Sequence, residues 1–250
     1  MKVVKIYPKE NLVDFGQSEL LTKRFHHAMS VSDSTQEMMV EMHQDIIRYM
    51  CDSYFDDVQW ILKEFIDEYH LKEEKRKALE HNLFWWKILY DTGQDPESGM
   101  TAGFIAKNYR RLMDKPFIQS WLREWDHAYP KFYYVGYKYN DGAFFVIDPL
   151  EEKKHDVIIR IPNAIPPNQG EIVMGTLIPY SQSLYSPITD FYRFDYEARE
   201  AIGGTFKYHY NRYLKLYSKA EAFIHVLSVM LQIEQLVYEK NKGMNKNESD

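Results

Sequence analysis

The feature that most constrains the fold is a change of hydrophobic period at Tyr129–Pro130. Before this point, apolar residues recur every three or four positions, the spacing of amphipathic helices. After it, Phe, Tyr and Val dominate a strand-like segment up to residue 139, and Asn140-Asp141-Gly142 is a strong β-hairpin turn signal. Helical spacing returns near Tyr196. The sequence therefore predicts an α+β fold.

The helical region is expected to cover residues 1–128 and to form a bundle of about six helices. Ser34 and Glu37 have capping-box spacing, so one helix is expected to begin there. A second is expected from about Asp57. The other helices are expected at residues 18–29, 79–90, 101–112 and 116–125.

Two of these helices have clear sequence markers. Thr101 is expected to cap one of them, directly after a loop rich in Gly, Pro and Asp. Pro116 is expected to open the last one, since proline is favoured in the first turn of a helix. Phe117, Trp121 and Trp125 are four residues apart in that helix, which predicts one buried aromatic face.

Residues 129–195 predict a small antiparallel sheet of five short strands that curls or closes into a partial barrel. Gly175 lies inside the fourth strand and predicts a bend or bulge there. The sequence leaves open whether the barrel is closed. The strands are expected at residues 131–139, 143–148, 156–161, 171–179 and 188–194.

Residues 196–240 are expected to form a long helix or a helix pair that packs back on the bundle. The helical spacing stalls at Gly203-Gly204, and Ser218 with Glu221 repeats the capping-box spacing. The apolar phase nevertheless continues past residue 218 without a jump, which favours one continuous helix. The polar residues 241–250 predict a disordered tail.

Composition excludes several classes of protein. The 250 residues carry 37 acidic and 31 basic side chains and a net charge of −6, which disfavours a broad nucleic-acid or anionic-membrane surface. The single Cys51 excludes an internal disulfide and a cysteine-based zinc site. No stretch of about 18 apolar residues and no secretory signal pattern is visible, so we expect no membrane contact and a cytoplasmic protein.

No glycine-rich phosphate loop, Gly-x-Ser-x-Gly or His-Glu-x-x-His motif occurs in the sequence. The sharpest metal hypothesis uses acid–histidine pairs three residues apart, Asp67 with His70 and Glu124 with His127. This spacing places both groups on one helix face, as in bundles that hold two iron or manganese ions. Glu41 or Asp45 would add a ligand to that divalent transition metal. Alternatively, the two histidines only complement helix dipoles, and no cofactor is bound.

Two further patterns predict binding surfaces. Residues 205–219 contain no acid, and a helix would align Tyr208, Arg212, Lys215 and Lys219 on one stripe. Basic residues interleaved with aromatics are typical of single-stranded nucleic-acid binding, although an ordinary amphipathic helix has the same pattern and is favoured in this acidic chain.

Tyr137 and Tyr139 share one face of the first strand and are candidates for lining a peptide groove. They are equally suited to packing against the helix of Trp121 and Trp125, which is the commoner fate of such aromatics.

Residues 121–180 resemble a segment found in uncharacterised bacterial cytoplasmic proteins. The shared features are an aromatic strand after Tyr129-Pro130, the turn Asp148-Pro149-Leu150 and a Gly-bounded strand ending in Leu177-Ile178-Pro179. Some relatives carry a C-terminal SEC-C motif that binds zinc through cysteines. This chain lacks those cysteines, so the resemblance implies a bacterial cytoplasmic protein without a zinc site.

These observations favour a non-enzymatic interaction or regulatory module that binds a protein or peptide. Two alternatives stay open at this point, a metal-dependent enzyme and a single-stranded nucleic-acid binder.

Overall fold

The computed structural model describes residues 24–27, 29–92, 99–161 and 164–247, with side chains up to 242 in the last helix. The helix predicted at residues 18–29 lies mostly outside this part of the chain, and its few described residues are not helical. The helices of the first half are α1 (Asp33–Asp67), α2 (Glu73–Thr92), α3 (Met100–Lys107), α4 (Tyr109–Leu112) and α5 (Pro116–Arg123), followed by the 3-10 turn Glu124–His127.

α1 is one continuous helix of 35 residues, where the sequence predicted two. The residues before Asp57 include no Gly or Pro, so nothing there breaks the backbone hydrogen bonds of the helix. The predicted cap at Ser34 is also wrong, because the helix is capped two residues earlier. The Ser32 side chain accepts a hydrogen bond from the Thr35 amide.

The aromatic face predicted for the helix after Pro116 is confirmed, since Phe117, Trp121 and Trp125 are all buried. Thr101 is not the cap of its helix, which begins at Met100. Instead, the carboxylate of Asp126 accepts hydrogen bonds from both the Thr101 amide and its hydroxyl, each at 2.8 Å. Asp126, 25 residues away, thus accepts a hydrogen bond from a backbone amide of the first turn, which a local cap was expected to do.

The middle of the chain forms a closed five-stranded barrel with one extra strand. Strands β1, β2, β3, β5 and β4 are hydrogen-bonded in that order, and β4 pairs back with β1 to close the ring. All these pairings are antiparallel except β3 with β5, so the sheet is mixed. The strands are β1 (Pro130–Asn140), β2 (Ala143–Asp148), β3 (Lys153–Ile158), β4 (Ile172–Ser181), β5 (Leu184–Pro187) and β6 (Tyr192–Arg193).

The fifth barrel strand lies earlier than predicted. Residues 188–194 contain only the two-residue β6, whereas the strand that completes the barrel is β5. It follows β4 through a tight turn in which Gln182 and Ser183 have φ values of 47° and 64°. Glycine is the usual residue for this left-handed conformation, so the turn carries no strong sequence signal.

Gly175 has a different role from the predicted bulge. The β1–β4 register runs without interruption through the pair Lys131 and Gly175. A Cβ atom at this position would stand 2.6 Å from the ring of Phe191. The glycine is therefore required for close packing of that ring against the strand.

The C-terminal part forms two helices, α6 (Arg199–Tyr213) and α7 (Lys219–Asn247), so the predicted helix pair is confirmed, and the continuous helix that the apolar phase favoured is wrong. The capping-box signal was the correct one, because Ser218 and Glu221 exchange hydrogen bonds between side chain and backbone. α6 passes through Gly203-Gly204, where a Cβ on Gly203 would meet the Tyr134 hydroxyl. α7 also continues through residues 241–247, which were predicted to be disordered.

Part of α7, Lys219–Lys242, is long and apolar enough to cross a membrane by length and composition alone. In this fold it is a core helix: Trp86 of α2 donates to its Ala220 carbonyl, and the Tyr69 hydroxyl meets Ser228 at 2.6 Å. Its side chains share one hydrophobic cluster with the other helices and with one face of the barrel. Side chains on the opposite face, such as Tyr133 and Val146, fill the barrel interior.

Candidate interaction surface

α6 and α7 meet at an exposed corner that contains the basic side chains predicted for binding. The chain turns at residues 214–218, and this break rotates Leu214 and Leu216 away from the core; Leu216 is 68% exposed. Tyr208, on the outer side of α6, is 64% exposed. The residues we call the basic corner are all exposed: Tyr208, Arg212, Leu214, Lys215, Leu216, Tyr217 and Lys219.

The positive charges of the basic corner lack acidic partners. Across the described part of the chain, no ion pair includes Arg212, Lys215 or Lys219. The neighbouring Lys207 differs, because its Nζ lies 3.1 Å from a carboxylate oxygen of Glu152. The corner therefore presents three uncompensated cations next to exposed apolar side chains. Exposed apolar surface bordered by charge is typical of interaction sites.

A row of aromatic rings supports the corner from beneath. Tyr213 lies against His225 with ring centroids 5.0 Å apart and nearly parallel planes, and Tyr217 lies 4.4 Å from the same imidazole. His209 stacks on Tyr213 from the other side at 6.5 Å. These contacts join α6 to the first turns of α7 and hold the exposed residues between them in place.

A pocket of about 200 Å³ adjoins the corner, between the barrel and the two C-terminal helices. We call it the Lys131 pocket. Leu214 and Lys219 of the basic corner also line it, so the two features form one continuous surface. Its other walls come from the start of β1, the β2–β3 turn, α6 and α7. These lining residues are Tyr129, Pro130, Phe132, Asp148, Leu150, Glu151, Lys207, Tyr210, Asn211 and Phe223.

Lys131 is the electrostatic centre of this pocket. Its Nζ lies 2.8 Å from Oδ2 of the buried Asp148 and 2.6 Å from Oε1 of Glu151. Burial opposes the charged form of Lys131, yet the two carboxylates outweigh it and raise its pKa. Hydrogen bonds from Lys131 and Lys153 lower the pKa of Glu151 to about 2.

The buried Asp148 is satisfied on both of its oxygens. While Oδ2 faces Lys131, Oδ1 accepts from the amides of Leu150 and Glu151 at 2.8 and 3.1 Å. This arrangement is an Asx turn, in which the aspartate side chain replaces a backbone acceptor at the end of β2. The pocket's charges therefore hold the β2–β3 turn against β1.

Two tyrosines form the rear wall of the Lys131 pocket. The Tyr129 hydroxyl donates to the backbone carbonyl of Lys219, which ties the start of β1 to the start of α7. Burial, together with the nearby Tyr210, raises the pKa of Tyr129 far above its ordinary value. Both phenols thus stay neutral at physiological pH and act as hydrogen-bonding groups.

The size of the pocket limits what it can hold. Small-molecule sites usually measure roughly 300–1,000 Å³, and this pocket is smaller. Its walls combine apolar surface from Phe132, Leu150 and Phe223 with a rim of lysines. It is suited to a single apolar or amphipathic side chain whose neighbours carry negative charge.

Tyr137 and Tyr139 do not pack against the tryptophan helix, which the sequence had favoured. They are 58% and 54% exposed near the tip of the β1–β2 hairpin, with their rings 5.8 Å apart in an edge contact. The Tyr139 hydroxyl donates to Asp156 at 3.0 Å. Their partners are neighbouring strand residues, and the residues that line the Lys131 pocket do not include them.

The residues predicted as metal ligands do not come together in one site. Among the residues that the structure describes, no group of three or more His, Cys, Asp or Glu side chains is placed to hold a metal ion. Asp67 forms an ion pair with Arg76 at the end of α1, and Glu124 and His127 lie in the 3-10 turn after α5. Glu41 and Asp45 both bind Arg111, each at 2.5 Å.

A second polar network lies near the middle of α7. The buried Glu234 accepts from the Tyr192 hydroxyl and from Lys75, each at 2.5 Å, and Lys75 also meets Asp195 at 2.7 Å. A pocket of about 100 Å³ opens beside it. Because these groups satisfy one another, the network cross-links α2, β6 and α7.

Sequence reasoning missed Lys131, Asp148 and Glu151 as a group. They are 17 and 20 residues apart, and only the folded hairpin and its turn bring them together. A usable signal was present, because Asn140–Gly142 fixes the hairpin and so places the chain after β2 beside the start of β1.

Comparison with protein families, with curated proteins and with solved structures finds no match for this chain. The resemblance of residues 121–180 to bacterial cytoplasmic proteins therefore stays a prediction.

Proposed function

We propose that this protein binds an acidic segment of a partner protein through the basic corner and the Lys131 pocket. The observation that carries the proposal is the joint exposure of uncompensated cations and large apolar side chains over a short stretch, residues 208–219. Acidic side chains of the segment pair with Arg212, Lys215 and Lys219, while one apolar side chain enters the adjoining pocket. Charge then sets the association rate, and the apolar anchor supplies most of the affinity.

A binding role is also supported by the state of the pocket's ionisable groups. Lys131 is shared between two carboxylates, and Glu151 is held by two lysines. Groups engaged in this way contribute to a rigid wall, whereas a general acid or base needs a pKa near the working pH. We therefore propose an interaction or regulatory module, acting in the cytoplasm.

Fluorescence polarisation with a short labelled peptide of alternating Glu and Phe tests this proposal. We expect saturable binding to the full chain, weakened roughly tenfold or more by the double substitution Arg212→Glu with Lys215→Glu. The matched control is Lys77→Glu with Lys240→Glu, two exposed basic residues that lie outside the basic corner and the Lys131 pocket. Equal loss in both variants, or no binding at all, contradicts the proposal.

The same assay distinguishes an acidic peptide from nucleic acid as the ligand. Tyr208 and Tyr217 are exposed between the basic side chains and offer ring faces on which bases stack. A labelled single-stranded oligonucleotide that binds more tightly than the acidic peptide, and depends on the same two cations, would replace the peptide with nucleic acid. We expect the peptide to bind more tightly, because its Phe side chains fit the partly apolar Lys131 pocket, whereas an oligonucleotide needs a wider positive surface than three cations provide.

A further inference from the structure

The long helix α1 presents a surface with the opposite character to the basic corner. Asp52, Asp56, Trp60 and Glu64 follow one another every four residues, so they line one face of the helix. All four are exposed, and Trp60 is 63% exposed. We call these four residues the acidic stripe.

The acidic stripe is as uncompensated as the basic corner. Residues 51–68 contain six acids and one lysine, all of them exposed. In the described residues, no ion pair includes Asp52, Asp56 or Glu64; Asp56 accepts only a hydrogen bond from Gln59 at 3.4 Å. Its negative charges are therefore available to pair with the cations of another molecule.

Trp60 is unusual among the tryptophans of this protein. All five lie in described parts of the chain, and Trp60 is the one that belongs to the exposed large apolar side chains. Nothing in the packing of α1 requires it there, since Leu62 and Ile66 bury the other face of the helix. Exposed tryptophans flanked by charge are frequent anchors of protein interfaces.

We propose that the acidic segment bound by the basic corner is the acidic stripe of a second copy of this chain. This inference rests on the proposed function and names its partner. Asp52 and Asp56 face Arg212 and Lys215 across the contact, and Trp60 packs on Leu214 as the apolar side chain that enters the Lys131 pocket. Two acidic stripes repel each other, as do two basic corners, so each contact joins the stripe of one copy to the corner of another.

Sedimentation velocity on the full chain tests this contact. We expect reversible self-association with a dissociation constant on the order of 0.1 mM, as for a small transient interface. Two charge-reversed variants, Asp52→Lys with Asp56→Lys and Arg212→Glu with Lys215→Glu, should each sediment as monomers. An equimolar mixture should associate again, because each variant then meets a surface of opposite charge.

Failure of rescue in the mixture overturns the inference, as does a wild-type chain that stays monomeric at about 1 mM, roughly ten times the expected dissociation constant. Self-association that survives either reversal contradicts it as well. The matched control, Lys77→Glu with Lys240→Glu, must associate like the wild type. If the Glu–Phe peptide still binds while the chain stays monomeric, the named partner is wrong and the proposed function stands.

Tryptophan fluorescence gives an independent readout. Trp60 is the exposed ring, so iodide quenching of the wild type should fall as protein concentration rises and the stripe becomes covered. Trp60→Phe should show no such dependence, since the remaining tryptophans are at least partly buried. Quenching that is independent of concentration in the wild type contradicts burial of this ring.

Discussion

The Lys131 pocket and the basic corner lie side by side and contain similar cations, yet they use charge in opposite ways. In the pocket, Lys131 meets two carboxylates within 2.8 Å, and one of them is buried. At the corner, Arg212 and Lys215 extend from the surface without acidic partners in the described chain. Charges of the first kind stabilise the fold, and charges of the second kind are available to a partner.

The largest expected effect is on the free energy of unfolding, which should depend on a cation of the pocket and not on a cation of the corner. Lys131→Met leaves the buried Asp148 carboxylate without its cation, so the free energy of unfolding should fall by about 3 kcal/mol. Lys215→Met, at the corner, should change it by less than about 0.5 kcal/mol. Urea unfolding followed by circular dichroism measures both. Similar values for the two variants would remove the distinction between fold charges and binding charges.

Part of the pH dependence of the free energy of unfolding should also come from the pocket and not from the corner. The pKa of Glu151 is about 2 in the folded protein, below its ordinary value of 4.5, so folding favours the charged carboxylate. Its contribution is complete above pH 4.5 and is lost as the pH falls towards 2. Glu151→Gln should therefore flatten part of the stability loss below pH 4.5, measured by urea unfolding at several pH values. Lys215→Met should leave that profile unchanged.

His43 gives a comparison on the helical side of the core. Its ring is buried and hydrogen-bonds to the Ile188 carbonyl at 3.0 Å, and burial lowers its pKa below 6.5. The folded state favours neutral His43, so its contribution is full above pH 6.5 and is lost as the pH falls from 6.5 towards the lowered pKa of the folded state. His43→Gln should remove this loss in the pH range above the Glu151 effect. A wild-type stability that stays flat from pH 7 to pH 5 would contradict this account.

Salt should act on the corner and spare the pocket. Raising the salt concentration from about 0.05 to about 0.5 M shortens the Debye length severalfold, which screens exposed cations. We expect the affinity for the Glu–Phe peptide to fall severalfold in fluorescence polarisation. The urea midpoint of the unliganded protein should change little. Salt-insensitive peptide binding would show that the exposed cations of the corner do not contribute to recognition.

The smallest effect is expected at the hairpin. Tyr137→Ser removes a half-exposed ring whose aromatic contact is with Tyr139, so stability should change by less than about 1 kcal/mol. Peptide affinity should stay at the wild-type value in fluorescence polarisation, because the hairpin does not line the Lys131 pocket. A loss of affinity would extend the binding surface to this end of the barrel.

Local signals in the sequence predicted the parts of the fold that local chemistry decides. Pro116 opens its helix, Asn140–Gly142 turns the hairpin, and Ser218 with Glu221 forms a capping box as the spacing indicated. The errors arose where tertiary contacts decide instead. Asp126 replaces the cap expected at Thr101, and Gln182 takes a conformation usual for glycine.

The candidate site was predictable in part for the same reason. Tyr208 and Arg212 lie one turn apart on α6, as the helical spacing predicted, whereas Lys215 lies in the turn after α6 and Lys219 begins α7. The Lys131 pocket requires the β1–β2 register, and the exposed Leu214 and Leu216 require the break between α6 and α7. Continuity of the apolar phase concealed that break, because the hydrophobic pattern alone does not distinguish a bent helix pair from a straight helix.

The most direct test of this account measures binding and stability on one variant, Arg212→Glu with Lys215→Glu. The account predicts at least a tenfold loss of affinity for the Glu–Phe peptide, roughly 1.4 kcal/mol or more. The urea midpoint should match that of the wild type. An unchanged affinity, or a loss of affinity that accompanies an equally large loss of stability, would contradict the claim that these two cations are kept for a partner.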